Sequence, residues 1–194
     1  MGLEIFWEAF AKELHSKLKD DKNWIDTYNN PTTWTKVLEK IMNQIGRRLF
    51  YLEDEIKIHP QHKRYDTCFG EKNINGDYDI EFVIEFENYA HNWRKDELPK
   101  LLNARAIYKV LISYFWTGNR TKNNSIEKIK VNLLNEYNQD QLKGIDNNFL
   151  FIFAPNKAAT MSIQEFKNLD IRSFRFKNGI FEDMKDIEIF RRLL

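Results

Sequence analysis

Residues 63–88 read KRYDTCFGEKNINGDYDIEFVIEFEN, and this stretch decides the fold. Two alternating segments, 62–71 and 79–88, flank the short sequence NINGDY. Its centre is Asn75-Gly76, a pair that suits a type I′ turn because both central residues of that turn need positive φ. The stretch therefore predicts a β-hairpin whose register decides which side chains share a face.

A turn centred on Asn75-Gly76 places Asp66 opposite Glu85. Successive side chains of a strand alternate between faces, so each face of the hairpin has its own set. One face is apolar and carries Tyr65, Phe69, Phe82, Ile84 and Phe86. The other face carries Asp66, Cys68, Val83, Glu85 and Glu87. Three carboxylates are thus predicted to lie close together.

Directly opposed like charges destabilise a strand pair. A hard divalent cation removes the conflict, because Mg²⁺ prefers oxygen ligands and often takes only one or two protein carboxylates, leaving positions for water and phosphate. Bound to a phosphodiester, such an ion polarises the phosphoryl group and lowers the pKa of water. The spacing therefore predicts an Mg²⁺ or Mn²⁺ site formed by Asp66, Glu85 and Glu87 that acts on a phosphodiester.

Two alternatives stay open at this point. Arg64 opposite Glu87 and a nearby Lys72 would make ordinary surface ion pairs, which contribute little to stability. A one-residue slip in register would separate the carboxylates. The acids Asp77 and Asp79 would then be the substitutes, although the turn explains Asp77 and the start of the strand explains Asp79.

The composition predicts one domain over residues 1–194, since single domains usually run to about 250 residues. Lys and Arg total 30 and Asp and Glu total 29, so charge neither indicates nor excludes a nucleic-acid partner. The single cysteine, Cys68, allows no internal disulfide and favours a reducing compartment. The acidic N-terminal segment is unlike a signal peptide, and no apolar run reaches about 20 residues. These features predict a cytoplasmic protein without a membrane partner.

Hydrophobic periodicity predicts the remaining elements. Helices are expected at 3–18, 33–50, 93–106 and 125–138, and 20–31 is expected to be a polar connection. Buried strands are expected at 108–116 and 148–155, followed by a strand and turn at 171–184 around Asn178-Gly179. Helices interleaved with strands predict an α/β (α+β) domain with a mixed central sheet flanked by helices.

Asp66 and Glu85-Phe86-Glu87, after a long helix and before a helix–strand unit, resemble the PD-(D/E)XK superfamily of restriction endonuclease-like nucleases in a Glu-x-Glu variant. The resemblance covers roughly residues 34–116. IEFEN with the following helix also resembles a group of uncharacterised prokaryotic proteins. The superfamily implies an αβββαβ core, here within about 34–155, and Mg²⁺-dependent cleavage of nucleic acid.

By this resemblance, Asp66 and Glu85 would be metal ligands, and Glu87 would be a third ligand or the base for the attacking water. Glu39 of the long helix is a further candidate, although an i,i+4 surface role explains it better because it lies off the apolar stripe. Tyr65 replaces the proline of the motif. The motif lysine is also missing, which leaves water activation to Glu87, to a second metal ion, or to a lysine from elsewhere such as Lys109 or Lys72.

The resemblance further implies double-stranded DNA as the partner and a homodimer that cuts both strands. The alternative is a catalytically inactive nucleic-acid-binding or protein-interaction module on the same fold. Basic residues near the candidate site are expected to contact phosphates or simply to be solvated; they are Arg47, Arg48, Lys57, Lys63, Arg64, Arg94 and Lys95.

Overall fold

The fold is described from a computed structural model. The residues that it describes are 2–20, 23–50, 65–72, 75, 78–87, 93–115, 122–137, 142, 145–155 and 171–184.

Within these ranges three helices are followed by strands with two further helices between them, an order that suits a layered α/β domain. The helices are α1 (Leu3–Asp20), α2 (Trp24–Asn29), α3 (Pro31–Phe50), α4 (Glu97–Leu102) and α5 (Lys122–Glu136). The strands are β1 (Thr67–Lys72), β2 (Tyr78–Phe86), β3 (Tyr108–Phe115), β4 (Phe149–Pro155), β5 (Arg172–Lys177) and β6 (Ile180–Asp183).

The six strands form one mixed sheet in the order β1-β2-β3-β4-β5-β6. Strands β2, β3 and β4 run parallel, because α4 and α5 connect them. The outer pairs β1–β2, β4–β5 and β5–β6 are antiparallel. The predicted mixed sheet flanked by helices is therefore confirmed at this level.

Two apolar clusters lie on opposite faces of the sheet. The first joins α1, α2 and α3 to side chains such as Phe82, Ile84 and Ile112. The second joins α4 and α5 to side chains such as Val83, Leu111 and Phe151. Adjacent positions of one strand enter different clusters because strand side chains alternate. Both faces of the parallel strands are thus covered, as is usual for such strands.

Strands β3 and β4 are central, as their nearly continuous apolar runs predict. Phe149, Phe151 and Phe153 all point into the second cluster, where Phe151 stacks on Phe174 of β5 with ring centroids 5.0 Å apart. On the side of the sheet that carries the second cluster, Lys130 of α5 forms an ion pair with Asp183 of β6 at 2.8 Å.

The hairpin register near the candidate site is confirmed. Thr67 pairs with Ile84, Cys68 with Val83 and Phe69 with Phe82. Beyond Phe69 the register shifts by one residue, so that Gly70 pairs with Ile80. This irregularity was not predicted, and it lies between the carboxylates and the turn.

Several expectations need correction. Tyr65 lies in the second cluster, not with Phe69, because it precedes β1 and strand alternation does not reach it. The polar connection at 20–31 contains helix α2, whose buried Tyr28 packs edge-on against Trp34 at 4.8 Å. Helix α4 is six residues long, shorter than the expected 93–106.

The turn between β5 and β6 was predicted, and the start of α3 has a side-chain cap. Asn178 and Gly179 both have positive φ, 52° and 84°, as the predicted turn between β5 and β6 requires. Helix α3 begins at Pro31, where the Asn30 side chain caps the first turn by accepting from the Thr32 amide at 3.0 Å.

None of the helices within the described ranges is both long and apolar enough to cross a membrane.

We predict that Gly70→Ala destabilises the domain by about 1–3 kcal/mol, the usual cost of overpacking. A Cβ atom at Gly70 would lie 2.3 Å from the backbone oxygen of Asp79, which is held by the strand pair. Urea unfolding measures the change. Gly179→Asn is the control, because nothing lies within 4 Å of a Cβ there and Asn tolerates positive φ. Equal stability of Gly70→Ala and wild type would contradict the bulge geometry.

Candidate functional site

Asp66 and Glu85 lie next to each other where β1 begins and β2 ends. The Phe86 amide donates a hydrogen bond of 2.7 Å to Oδ2 of Asp66, which fixes the Asp66 carboxylate beside the end of β2. Asp66 is exposed, whereas Glu85 retains only 1% of its accessible surface. One carboxylate thus faces solvent and its neighbour faces the protein interior.

Glu85 is buried because its face of the sheet is covered by α4. Lys100 of α4 places its Nζ 2.9 Å from Oε1 of Glu85 and 2.6 Å from Oε2 of Glu97. Among the described residues, neither oxygen has a hydrogen-bond partner at acceptable angles, so these are charge contacts rather than aligned hydrogen bonds. Lys100 thus lies between the carboxyl groups of Glu85 and Glu97 and interacts with both.

The environment of Glu85 favours its neutral form. Burial, and then the nearby charge of Asp66, raise the pKa of Glu85 from 4.5 to about 9, and the contact with Lys100 offsets only part of this. Carboxyl groups with strongly shifted pKa values concentrate at functional sites, although structural networks shift them too.

Lys100 stays protonated at neutral pH. Partial burial acts to lower its pKa, but contacts with Glu97 and Glu85 outweigh this effect and raise the pKa above its ordinary value. A lysine in this state supplies positive charge and N–H donors, and it does not act as a base.

Glu87 follows the last residue of β2 and is held by β3. Its amide donates to the Ile112 carbonyl at 3.0 Å, and its own carbonyl accepts from the Ser113 hydroxyl at 3.1 Å. Together with burial, its carboxylate raises the pKa of Tyr114, which belongs to the first cluster. The structure thus brings Asp66 and Glu85 together, while the described contacts of Glu87 are with β3.

Both ends of α4 are fixed, which positions Glu97 and Lys100. At its start, the Leu98 amide donates to the Trp93 carbonyl at 2.7 Å. At its end, the buried Lys109 of β3 donates to the Leu102 carbonyl at 3.0 Å. Burial lowers the pKa of Lys109. Lys109 therefore holds the helix and directs its ammonium group to a backbone carbonyl.

Other candidates lie farther away or outside the described ranges. Lys72 and Asp79 are at the turn end of the hairpin. Lys72 is six positions along the chain from Asp66, which is about 20 Å at ~3.3 Å per residue. Glu39 is exposed on α3, a helix of the first cluster. Asp77 and Arg64 lie outside the described residues, as do Lys57 and Lys63. The segment 162–169, SIQEFKNL, whose sequence predicts a short helix, also lies outside them.

Sequence reasoning missed Glu97 and Lys100. The available signal was their i,i+3 spacing, which places them on neighbouring positions of one helix face. The alternation of buried Leu98 and Leu101 with these charges was a second signal. Neither signal reveals that this face covers Glu85, because that depends on how α4 packs across the sheet.

The donor set fits a divalent cation that uses few protein ligands. Asp66 and Glu85 offer hard oxygen ligands, and a bound cation would displace the proton that the raised pKa of Glu85 retains. Within the described ranges, no three His, Cys, Asp or Glu side chains are grouped so that they could hold a metal ion. The described residues therefore offer a cation two neighbouring carboxyl groups, those of Asp66 and Glu85, and not the three of the sequence prediction.

In comparisons with protein-family models, curated proteins and solved structures, nothing matches this chain. The geometry alone therefore carries the functional argument below.

We predict that wild-type stability declines as pH rises from about 4.5 to about 9. In this window folded Glu85 keeps a proton that the unfolded chain has lost, so its contribution is fully present below pH 4.5 and is lost as pH approaches 9. One proton corresponds to a slope of at most about 1.4 kcal/mol per pH unit. Glu85→Gln removes this component, and urea titrations at several pH values measure the difference.

The matched control is Glu182→Gln, a partly exposed carboxylate on β6 that pairs with Arg175 at 3.5 Å. It should keep the wild-type pH dependence. Parallel stability curves for wild type and Glu85→Gln would contradict the raised pKa of Glu85.

Proposed function

We propose that this protein is a metal-dependent phosphodiesterase that cleaves DNA on a restriction endonuclease-like fold. The observation that carries the proposal is the pairing of exposed Asp66 with buried Glu85, whose Oε1 lies 2.9 Å from the Lys100 ammonium. Two carboxyl groups with a lysine beside them would provide metal ligands and a positive charge for the cleavage of a phosphodiester.

The order of elements supports this proposal. A long helix, an antiparallel strand pair, a short helix and a parallel strand follow one another as α3, β1, β2, α4 and β3. These elements agree with the αβββαβ order of the superfamily except for its first strand, and residues 51–64, between α3 and β1, lie outside the described part. The candidate residues lie at the carboxyl end of β2, the edge where open α/β sheets usually bind ligands.

The roles of the residues follow from their environments. Asp66 and Glu85 would hold Mg²⁺ or Mn²⁺, which when bound supplies polarisation of the phosphoryl group and a more acidic water. Lys100, protonated and aimed at Glu85, would place positive charge beside the scissile phosphate and stabilise charge that develops in the transition state. It would thereby take the place of the missing motif lysine, a role for which sequence alone suggested Lys109 or Lys72.

Glu97 and Glu87 would have supporting roles. Glu97 contacts the Lys100 ammonium at 2.6 Å and keeps it charged and oriented. Glu87 is anchored through its backbone to Ile112 and Ser113 at the rim of the same sheet edge. A contribution of its carboxylate as third ligand or base stays a proposal.

One observation favours a second function, an inactive binding or interaction module on the same fold. Lys100 already contacts both Glu85 and Glu97, so the buried charge is compensated without a metal. In that case the carboxylates would be structural and the protein would bind DNA without cutting it. A homodimer fits either function.

We predict that the wild-type protein nicks supercoiled plasmid DNA with Mg²⁺ or Mn²⁺ and not with EDTA. Glu85→Gln and Asp66→Asn should lower the nicking rate by about 100-fold or more, since several kcal/mol of charge stabilisation would be lost. Glu182→Gln serves as the control and should keep the wild-type rate. Gel densitometry of nicked and linear plasmid measures the rates.

The absence of cleavage with either metal, together with retained duplex binding, would favour the inactive module. Equal rates for wild type and Glu85→Gln would rule out Glu85 as a ligand.

We further predict that Lys100→Met lowers kcat by about 10²–10³, as expected for loss of one positioned charge donor. Lys100→Arg should retain more activity because the charge is kept. Lys128→Met, an exposed lysine of α5, is the control. Single-turnover rates combined with melting temperatures separate a catalytic effect from unfolding, and a kcat unchanged in a folded Lys100→Met variant would refute this role.

A further inference from the structure

A groove of about 230 Å³ separates α1 and α3 on the side of the sheet away from Glu85. The described residues that line it are all polar or basic: Lys17, Lys40, Asn43, Gln44 and Arg47. We propose that this groove binds the sugar-phosphate backbone of a nucleic acid.

The two helices create the groove by packing through their apolar stripes. Leu14 and Leu18 of α1 and Ile41 and Ile45 of α3 are buried in the first cluster. The polar residues beside those apolar stripes lie at the surface, where they line the groove. Arg48 reaches back to Glu13 at 3.6 Å, which fixes the relative position of the helices near one end of the groove.

The charge of the lining is of one sign. Among the described lining residues, Lys17, Lys40 and Arg47 contribute three cations, and there is no carboxylate. Glu13 of α1 is engaged with Arg48, outside the described lining. A site with this balance attracts anions, and it does so without a large net charge on the whole protein.

The donor types point to phosphate rather than to bases. Arg and Lys bind phosphate oxygens, and the two amides add neutral donors. None of the five lining residues that the structure describes is aromatic, so they provide no surface on which a base could stack. Lys40 and Arg47 are separated by two turns of α3, about 10 Å, which suits successive phosphates of an extended backbone better than a single small anion.

This inference rests on the proposed function for its choice of polyanion. The groove lies behind the sheet, so it would hold a part of the nucleic acid away from the scissile phosphate. Contacts of this kind raise affinity for any sequence and make binding depend strongly on salt.

The experiment measures binding of a fluorescein-labelled 20-base-pair duplex of mixed sequence, in EDTA, by anisotropy from 50 to 200 mM salt. The test variant combines Lys17→Ala, Lys40→Ala and Arg47→Ala. The charge-matched control combines Lys12→Ala, Arg105→Ala and Lys128→Ala, three exposed cations outside the groove. Melting temperatures check that both triple variants are folded.

We expect the test variant to reduce the salt slope of log K by about 2–3 units, since each phosphate contact contributes about 0.9. The affinity should fall roughly tenfold or more at 100 mM salt, while the control stays within about threefold of wild type. Equal losses in the two triple variants would overturn the proposal, because the effect would then be one of overall charge.

Two further titrations test whether the groove binds anions other than a nucleic-acid backbone. Inorganic phosphate and vesicles containing phosphatidylserine are titrated against wild type and the test variant. Loss of binding to either probe, with duplex binding unchanged, would overturn the assignment to a nucleic-acid backbone. Because cleavage is not measured, a failed nicking assay with a confirmed change in salt slope would reject the nuclease and leave the groove in place.

Discussion

Burial of the Glu85 carboxylate is the constraint on which the candidate site depends. A charged group inside a protein is costly unless it is paired or takes up a proton. Here the charge of Lys100 and a raised pKa both reduce that cost, and they do so only while α4 stays in position. The two anchors of α4, the Trp93 carbonyl and the Lys109 ammonium, therefore contribute to the chemistry of the site although neither is proposed to touch a substrate.

The two faces of the sheet differ in the helices that cover them and in the charge of the residues nearby. Helices α1 and α3 cover one face and leave a basic groove between them, whereas α4 covers part of the other face and encloses the acidic pair. Both faces of β2 are consequently buried, which explains why an acidic residue of a strand ends up in the interior. A strand with one wet face would have left Glu85 in water, where it would have had an ordinary pKa.

Much of the fold could be predicted from sequence because its signals are local. The register of Cys68 with Val83, the long helix α3 and the central strands β3 and β4 follow from alternation, periodicity and turn residues. Helix α2 was missed because the packing of Tyr28 on Trp34 overrides a polar composition.

The site was predicted in part, for a related reason. Asp66 and Glu85 are brought together by strand register, which sequence encodes. Lys100 approaches Glu85 through the packing of a separate helix, and no local pattern specifies that packing. The contacts of Glu87 with β3 likewise depend on the next strand of the sheet.

The irregular pairing at Phe69 and Gly70 has a consequence for how this chain can vary. It divides the hairpin into a proximal half, whose alignment is set by Thr67, Cys68 and Phe69, and a distal half that ends in the turn. Since the two halves already differ in alignment by one residue, an insertion or exchange at the tip need not be transmitted to the acidic pair. The base of the hairpin therefore keeps its alignment through its own pairs, independently of the pairs formed by Gly70, Glu71 and Lys72.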